Sequence, residues 1–167
     1  MNLEQDIARW DGKSSQDIAE IFSCYAEGET FLGELLALHK NVPSQKGASW
    51  LLKRYLERDG KIGRGETSKI VKTLSSLRHW ESRLHVLQCL PFMSIAVADK
   101  ESVERFLRIC LTDSNKMVRA WSYNGFYELS MQYPEYVSET KQFFDMAMKD
   151  EAPSVKARIR NILKAGF

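Results

Sequence analysis

Two stretches of the chain repeat one pattern at a fixed spacing. Asp113 is followed by Val118, Arg119 and Ala120, and the pattern recurs 37 residues later at Asp150 and at 155–157. Each copy has an acid in a short turn and an apolar–basic–small triplet that opens an amphipathic helix. Another amphipathic segment precedes each copy, at residues 102–111 and 135–148. Helical hairpins that recur every 20–50 residues or so are typical of solenoids.

The repeated pattern resembles the HEAT-repeat family, whose repeats carry an acid in the turn and Val-Arg at the start of the second helix. The resemblance implies an all-α fold, a right-handed α-α superhelix of about four hairpins in a single domain. Earlier copies are looser, since 82–84 retains only the basic residue and 46–48 only the small one. The predicted units are N-terminal capping helices at 1–27 and hairpins at 29–59, 66–97, 100–133 and 135–166.

Local patterns independently predict helices and not strands. Ser14 is expected to cap a helix that follows it, Ser44 to cap another, and Pro91 and Pro134 to end two more. A continuous helix is expected over 66–77. No stretch shows sustained strand alternation. The sequence leaves open whether residues 1–27 cap the array or exchange between copies.

Composition excludes several classes of protein. At 44% hydrophobic and 28% charged residues the chain is neither disordered nor membrane-embedded. The longest nearly apolar run, 89–98, is too short to span a bilayer and contains Pro91. Cys24, Cys89 and Cys110 lack metal-ligand spacing, which indicates buried free thiols in a reducing compartment. A cytoplasmic protein without a membrane segment is expected.

The HEAT resemblance also implies roles for particular residues. In that family the acid of the turn and the Arg of the second helix join a ladder of hydrogen bonds between adjacent repeats. Carried over, the ladder residues are structural and hold one repeat against the next: Asp113, Arg119, Asp150 and Lys156. Because Lys156 lacks the bidentate fork of an arginine, the last rung is expected to be weaker.

The second helix of each hairpin in such a solenoid usually lines the concave face. Aligning the last three second helices places two sets of residues on that face: His85, Trp121 and Arg158, and Gln88, Asn124 and Asn161. The three amides could form a polar stripe, or they could satisfy backbone groups. Trp121 and Tyr123 could be exposed anchors for a partner, or they could be packed between repeats.

A search for catalytic and cofactor sites returns no candidate. His39, His79 and His85 are isolated, so no helix-borne zinc site is expected. The glycine-rich segment 59–65 follows a predicted helix and lacks the Gly-Lys-Ser/Thr ending of a phosphate loop, which indicates a loop between repeats. No catalytic residue, metal or cofactor is expected.

The expected function is a non-enzymatic scaffold that binds a protein partner through the concave face. The alternative is nucleic-acid binding, because residues 40–83 carry 11 basic and 4 acidic side chains, whereas residues 1–39 carry 2 and 8. The two segments could instead face each other or be ordinary solvated surface. The alternative resembles the HEAT-like alkylpurine DNA glycosylases, but the pI of 8.4 is modest and no catalytic Asp can be matched. A third resemblance, to HEAT-like phycobilin lyases, has no identifiable chromophore site here.

Overall fold

The computed structural model describes residues 2–167, and every regular element within them is helical. The prediction of an all-α fold is therefore confirmed for this part of the chain. Short 3-10 helices lie at Val42–Ser44, Leu74–Ser76, Leu90–Phe92, Val97–Asp99 and Pro134–Tyr136. The α-helices are α1 (Leu3–Arg9), α2 (Ser15–Tyr25), α3 (Phe31–Leu38), α4 (Gln45–Glu57), α5 (Arg64–Val71), α6 (Trp80–Cys89), α7 (Lys100–Leu111), α8 (Lys116–Gln132), α9 (Val137–Asp150) and α10 (Pro153–Lys164).

Most helix ends follow from local chemistry. The Ser14 hydroxyl accepts a hydrogen bond from the Asp17 amide and caps α2, as expected. Asn115 caps α8 in the same way through the Met117 amide. Pro91 and Pro134 follow the ends of α6 and α8 and prevent either helix from continuing.

Two of the expected helix boundaries are wrong. Ser44 makes no capping bond, because it is buried at the end of a 3-10 helix that runs directly into α4. The helix predicted over 66–77 is α5, which ends at Val71. The Thr73 hydroxyl donates to the Ile70 carbonyl and the Ser76 hydroxyl to the Thr73 carbonyl, and these side-chain bonds favour a 3-10 turn over a further α-helical turn.

Helices α4, α6, α8 and α10, which the sequence predicts as the second helices of successive hairpins, pack on one another in chain order. Helix α4 packs on α6, α6 on α8 and α8 on α10. Within hairpins, α3 packs on α4, α7 on α8 and α9 on α10. The N-terminal helices α1 and α2 pack on each other, and α2 also packs on α4 of the same chain.

Helix α8 takes part in two hydrophobic cores. Val118, Phe126 and Leu129 belong to a cluster that begins at Leu3 and runs through the first three hairpins. Ala120 and Tyr123, on another side of α8, belong to a second cluster built with α9 and α10. Nine of its seventeen residues are buried, and they contribute to both cores.

The cysteines differ from one another in burial. Cys89 and Cys110 are buried, and burial raises the pKa of both thiols, which keeps them protonated at neutral pH. The expectation of burial is wrong for Cys24, because it lies on the outward side of α2 and is exposed. No helix in residues 2–167 is long and apolar enough to cross a membrane.

Gly125 allows α8 to approach its neighbours closely. A Cβ atom at this position would overlap the Leu107 side chain of α7 and touch Leu90 beside α6 at 3.0 Å. Gly33 in α3 offers the contrast, since a Cβ there would meet nothing within 4 Å.

We predict opposite effects of alanine at these two glycines. Gly125→Ala should lower the free energy of unfolding by about 1–3 kcal/mol, because overpacking outweighs the gain in helix propensity. Gly33→Ala should raise it by about 0.5–1 kcal/mol. Urea unfolding followed by circular dichroism measures both, and equal stabilisation by the two variants would contradict the packing of α8.

Buried polar contacts join the first two hairpins. His39 Nδ1 lies 2.9 Å from Thr73 Oγ1, and Gln45 Nε2 donates to Ser76 Oγ at 3.0 Å. Because the single Thr73 hydroxyl proton already points to the Ile70 carbonyl, Nδ1 of His39 must be the donor. Nε2 of His39 is then an unprotonated acceptor, and it is buried without a partner among the described residues. Burial lowers the pKa of His39 to about 4.

We predict that His39 makes the fold sensitive to mild acid. Its folded pKa lies below the ordinary 6.5, so its contribution is complete above pH 6.5 and is lost as pH falls towards 4. Between pH 7 and 5 this histidine should cost about 1–2 kcal/mol of stability. Urea unfolding at pH 7, 6 and 5 should show a shallower pH dependence for His39→Gln than for wild type. Identical dependences would refute the assignment.

Candidate functional site

One face of the second helices carries side chains in the same register in all four hairpins. The positions follow an i, i+4, i+7, i+11 spacing, which places them along one side of each helix. We call this set the second-helix face. It consists of Lys46, Trp50, Lys53 and Glu57 in the first hairpin, Glu81, His85, Gln88 and Phe92 in the second, Met117, Trp121, Asn124 and Glu128 in the third, and Ser154, Arg158, Asn161 and Ala165 in the fourth. Phe92 and Ala165 lie just beyond the ends of α6 and α10.

Contacts between neighbouring second helices hold this face together. Lys46 Nζ lies 2.7 Å from Glu81 Oε1, which joins α4 to α6. The Arg158 guanidinium carbon lies 3.9 Å from the centroid of the Trp121 ring, which joins α10 to α8. Of the predicted set His85, Trp121 and Arg158, the structure therefore brings the last two into direct contact, and all three are partly exposed.

His85 is a neutral imidazole on this face. Its Nδ1 lies 3.0 Å from Ser49 Oγ of α4. Burial, assisted by Lys53, lowers the pKa of His85 to about 4. The side chain is therefore uncharged near pH 7, where it offers a polar edge and no positive charge.

The three predicted amides differ in their surroundings. Gln88 is half-buried, Asn161 is exposed and Asn124 is buried with 8% of its surface exposed. Asn124 hydrogen-bonds Glu128, although burial still raises the pKa of that carboxyl. The amides thus share a register without forming a uniform polar stripe.

Of the two aromatic candidates, only Trp121 is on the accessible surface. Tyr123 is buried, and its ring packs edge-on against Phe144 with centroids 6.2 Å apart. An exposed role for Tyr123 is therefore wrong, because this side of α8 faces the core that it shares with α9 and α10.

Ion pairs connect the hairpins near the starts of the second helices. Arg83 donates to Asp113 at 2.9 Å. Arg119 forms a bidentate contact with Glu151, at 2.9 and 3.2 Å, and also donates to the carbonyl of Asp113. Burial alone would raise the pKa of Glu151, but hydrogen bonds from Arg119 and from the Ala152 amide lower it overall.

Asp150 and Lys156 do not make the contacts between repeats that the ladder would require. The acid that meets Arg119 is Glu151, because Asp150 is the exposed last residue of α9 whereas Glu151 starts the turn. Lys156 of α10 donates to the Lys149 carbonyl of α9 at 3.2 Å, so its contact lies within the last hairpin.

Charges on the second-helix face are balanced. Its three cations, Lys46, Lys53 and Arg158, are matched by three carboxylates. Lys46 pairs with Glu81, Lys53 lies 3.2 Å from Glu57, and Arg158 covers Trp121. Apart from Arg83, the other basic residues of the middle segment lie at other positions of the fold: Lys40, Arg54, Arg58, Lys61, Arg64, Lys69, Lys72 and Arg78.

A pocket lies at the end of the second-helix face that is nearest to α1 and α2. It has a volume of about 380 Å³, and the loop between α1 and α2 forms one wall. Trp10 approaches Lys46, whose Nζ lies 6.0 Å from the ring centroid. The other principal lining residues are Trp50, Trp80, Glu81 and His85. This indole-rich lining suits a large apolar or aromatic side chain.

Sequence reasoning missed several members of the face. Lys46, Trp50 and Glu81 are not predicted as members of the face, because the first two hairpins retain little of the repeat pattern. The i, i+4, i+7, i+11 spacing along each second helix is the signal that would have found them.

The described part of the chain holds no cluster of metal-binding side chains. Within residues 2–167, no group of three or more His, Cys, Asp or Glu side chains is placed to hold a metal ion. The glycine-rich segment 59–65 follows α4 and includes the first two residues of α5, so no strand precedes it, and Asp59 takes a left-handed φ of 65° there.

Comparisons with known proteins supply no relative. No protein-family model matches the chain, and neither a curated protein nor a solved structure matches it.

We predict that Trp121 and Arg158 stabilise the fold jointly. A double-mutant cycle of Trp121→Ala and Arg158→Ala should give a coupling of about 0.5–2 kcal/mol in the free energy of unfolding, because the cation lies against the indole face. Arg160 is exposed on the same helix, so Arg160→Ala combined with Trp121→Ala should be additive. A coupling near zero for the first pair would contradict the stacked geometry.

Proposed function

We propose that this chain is a HEAT-like α-solenoid that acts as a non-enzymatic scaffold and binds a protein partner across the second-helix face. The packing of α4, α6, α8 and α10 in chain order supports a superhelical arrangement, because each second helix contacts the next. The repeated turn and helix pattern at 113–120 and 150–157 supports the family assignment. The concave surface of such an array would be the second-helix face.

The observation that carries the proposal is the chemistry of this face. It combines partly exposed Trp50 and Trp121 and exposed Phe92 and Met117 with a balanced set of charges. Aromatic and methionine side chains are enriched at protein interfaces, where large apolar groups supply most of the binding free energy. The pocket at Trp10, Trp50 and Trp80 would accept one such group from the partner.

The nucleic-acid alternative is weaker on this face. Phosphate binding requires cations that are free to displace counterions. Lys46 and Lys53 already contact Glu81 and Glu57, and Arg158 lies on Trp121. The basic residues of the middle segment that lack such contacts lie elsewhere, so the face as a whole offers no excess of positive charge. A cytoplasmic location belongs to the same proposal and is supported by the three free cysteines.

Site-specific photo-crosslinking in the cells of origin tests the proposal. A benzophenone amino acid at Met117, which is 40% exposed on the second-helix face, should yield a discrete protein adduct. The same group at Met146 provides the matched control, since Met146 is 65% exposed but lies on α9, outside the face. The adduct from position 117 should be absent from position 146.

Two further measurements make the outcome decisive. Trp121→Ala, once shown to fold by its unfolding curve, should weaken binding of the captured partner roughly 10- to 30-fold. Labelled single-stranded and duplex DNA and RNA should show no saturable, salt-sensitive anisotropy change with wild-type protein. Equal adducts from both positions, or nucleic acid in the adduct from position 117, would overturn the proposal.

A further inference from the structure

A second candidate site lies between the first helices of the second and third hairpins. Helix α5 has 8 residues and ends at Val71, whereas α7 has 12. The 3-10 turn Leu74–Ser76 packs on α7, and Ile109 of α7 remains 57% exposed. A cleft of about 170 Å³ lies beside it, with a floor of Val71, Leu74 and Phe106 and a rim of Ile109, Lys72, Arg105, Ser75 and Ser102. We call it the α5–α7 cleft.

The cleft is held open by buried contacts from the preceding hairpin. His39 bonds Thr73 and Gln45 bonds Ser76, and these two hydroxyls in turn bond backbone carbonyls within the turn. These contacts hold the turn against the first hairpin. They also favour the 3-10 turn over a continuation of α5 towards Phe106. A preformed apolar concavity of this kind binds without a large ordering cost.

The size of the cleft suits one apolar side chain. A volume of roughly 150 Å³ lined by apolar groups can hold a benzene ring. Ile109 forms part of the rim and is 57% exposed, although it lies directly beside the buried Phe106 floor. A branched or aromatic side chain seated here would cover Ile109 and complete the packing of α7.

The charges at the rim of the cleft indicate which residues would flank the bound apolar side chain. Lys72 and Arg105 are exposed, and neither forms an ion pair with a described side chain. By contrast Arg108, one turn further along α7, contacts both Glu104 and Glu139. Lys72 and Arg105 are therefore available to bind carboxylates of another molecule.

We propose that the α5–α7 cleft is a docking site for an acidic peptide segment that carries one large apolar residue. The apolar residue fills the space between Leu74 and Phe106, and neighbouring carboxylates contact Lys72 and Arg105. The apolar floor disfavours a nucleic-acid backbone, which presents only phosphate and sugar there. The site involves the first helices, so this proposal stands independently of the second-helix face.

Methyl NMR on the full chain tests the cleft with defined probes. The probes are an acidic pentapeptide with a central leucine, the same peptide with serine in place of leucine, and a version with lysines in place of the acids. The leucine peptide should shift the methyl signals of Val71, Leu74 and Ile109 in a saturable way and leave those of Val155 and Ile159 in the second core unchanged. Serine should weaken binding about tenfold or more, and the lysine version should not bind.

Variants assign the charged part of the interaction. Arg105→Glu and, separately, Lys72→Glu should each weaken binding roughly two- to fivefold at low salt, because exposed ion pairs are modest. Arg160→Glu, an exposed arginine on α10, is the matched control and should leave binding unchanged.

The contradicting results are equally specific. Absence of shifts in the cleft at millimolar peptide, or equal binding of the acidic and basic peptides, would overturn the proposal. Shifts of the same methyls with protein concentration alone would also overturn it, because they would assign the cleft to a second copy of this chain.

Discussion

Close packing around α8 is the interaction on which the other elements depend. This helix contacts α6, α7, α9 and α10, and its buried residues belong to two separate cores. Gly125 permits that approach, since any side chain there would meet Leu107. Ala120 and Tyr123 form the α8 side of the second core, and direct contacts between α7 and α9, such as Arg108 with Glu139, add to this attachment.

The same stacking explains the organisation of the surface. Because α4, α6, α8 and α10 lie beside one another, side chains of one helix meet those of the next helix or of the turn that precedes it. Lys46 with Glu81, Arg83 with Asp113, and Arg119 with Glu151 are three such pairs. Of these pairs only Lys46 with Glu81 lies on the second-helix face, where the numbers of cations and carboxylates are equal.

Much of the fold follows from the sequence alone. Ser14, Pro91 and Pro134 set helix ends through local hydrogen bonding and ring sterics, and such effects need no tertiary information. The end of α5 was not predictable in this way. Its 3-10 turn depends on Thr73 and Ser76, which are contacted by His39 and Gln45 from another hairpin.

The candidate site was predicted less completely, for similar reasons. The register correctly indicates which positions align, but burial depends on how many neighbours a helix has. Asn124 and Tyr123 are buried because α8 is enclosed on several sides, whereas Cys24 is exposed because α2 lies near the end of the array. Arg119 pairs with Glu151 and not with Asp150, because the turn places the interacting acid one residue later than expected. Sequence periodicity does not distinguish between two adjacent acids.

Amide hydrogen exchange of the free chain and of its complex with the captured partner would show which helices the partner covers. We expect the partner to protect peptides from α4, α6, α8 and α10, the helices that carry the second-helix face. Peptides from α3 and α9 should exchange at the same rate in both states. Protection confined to α5 and the loop before it, or spread evenly over first and second helices, would contradict binding across the second-helix face.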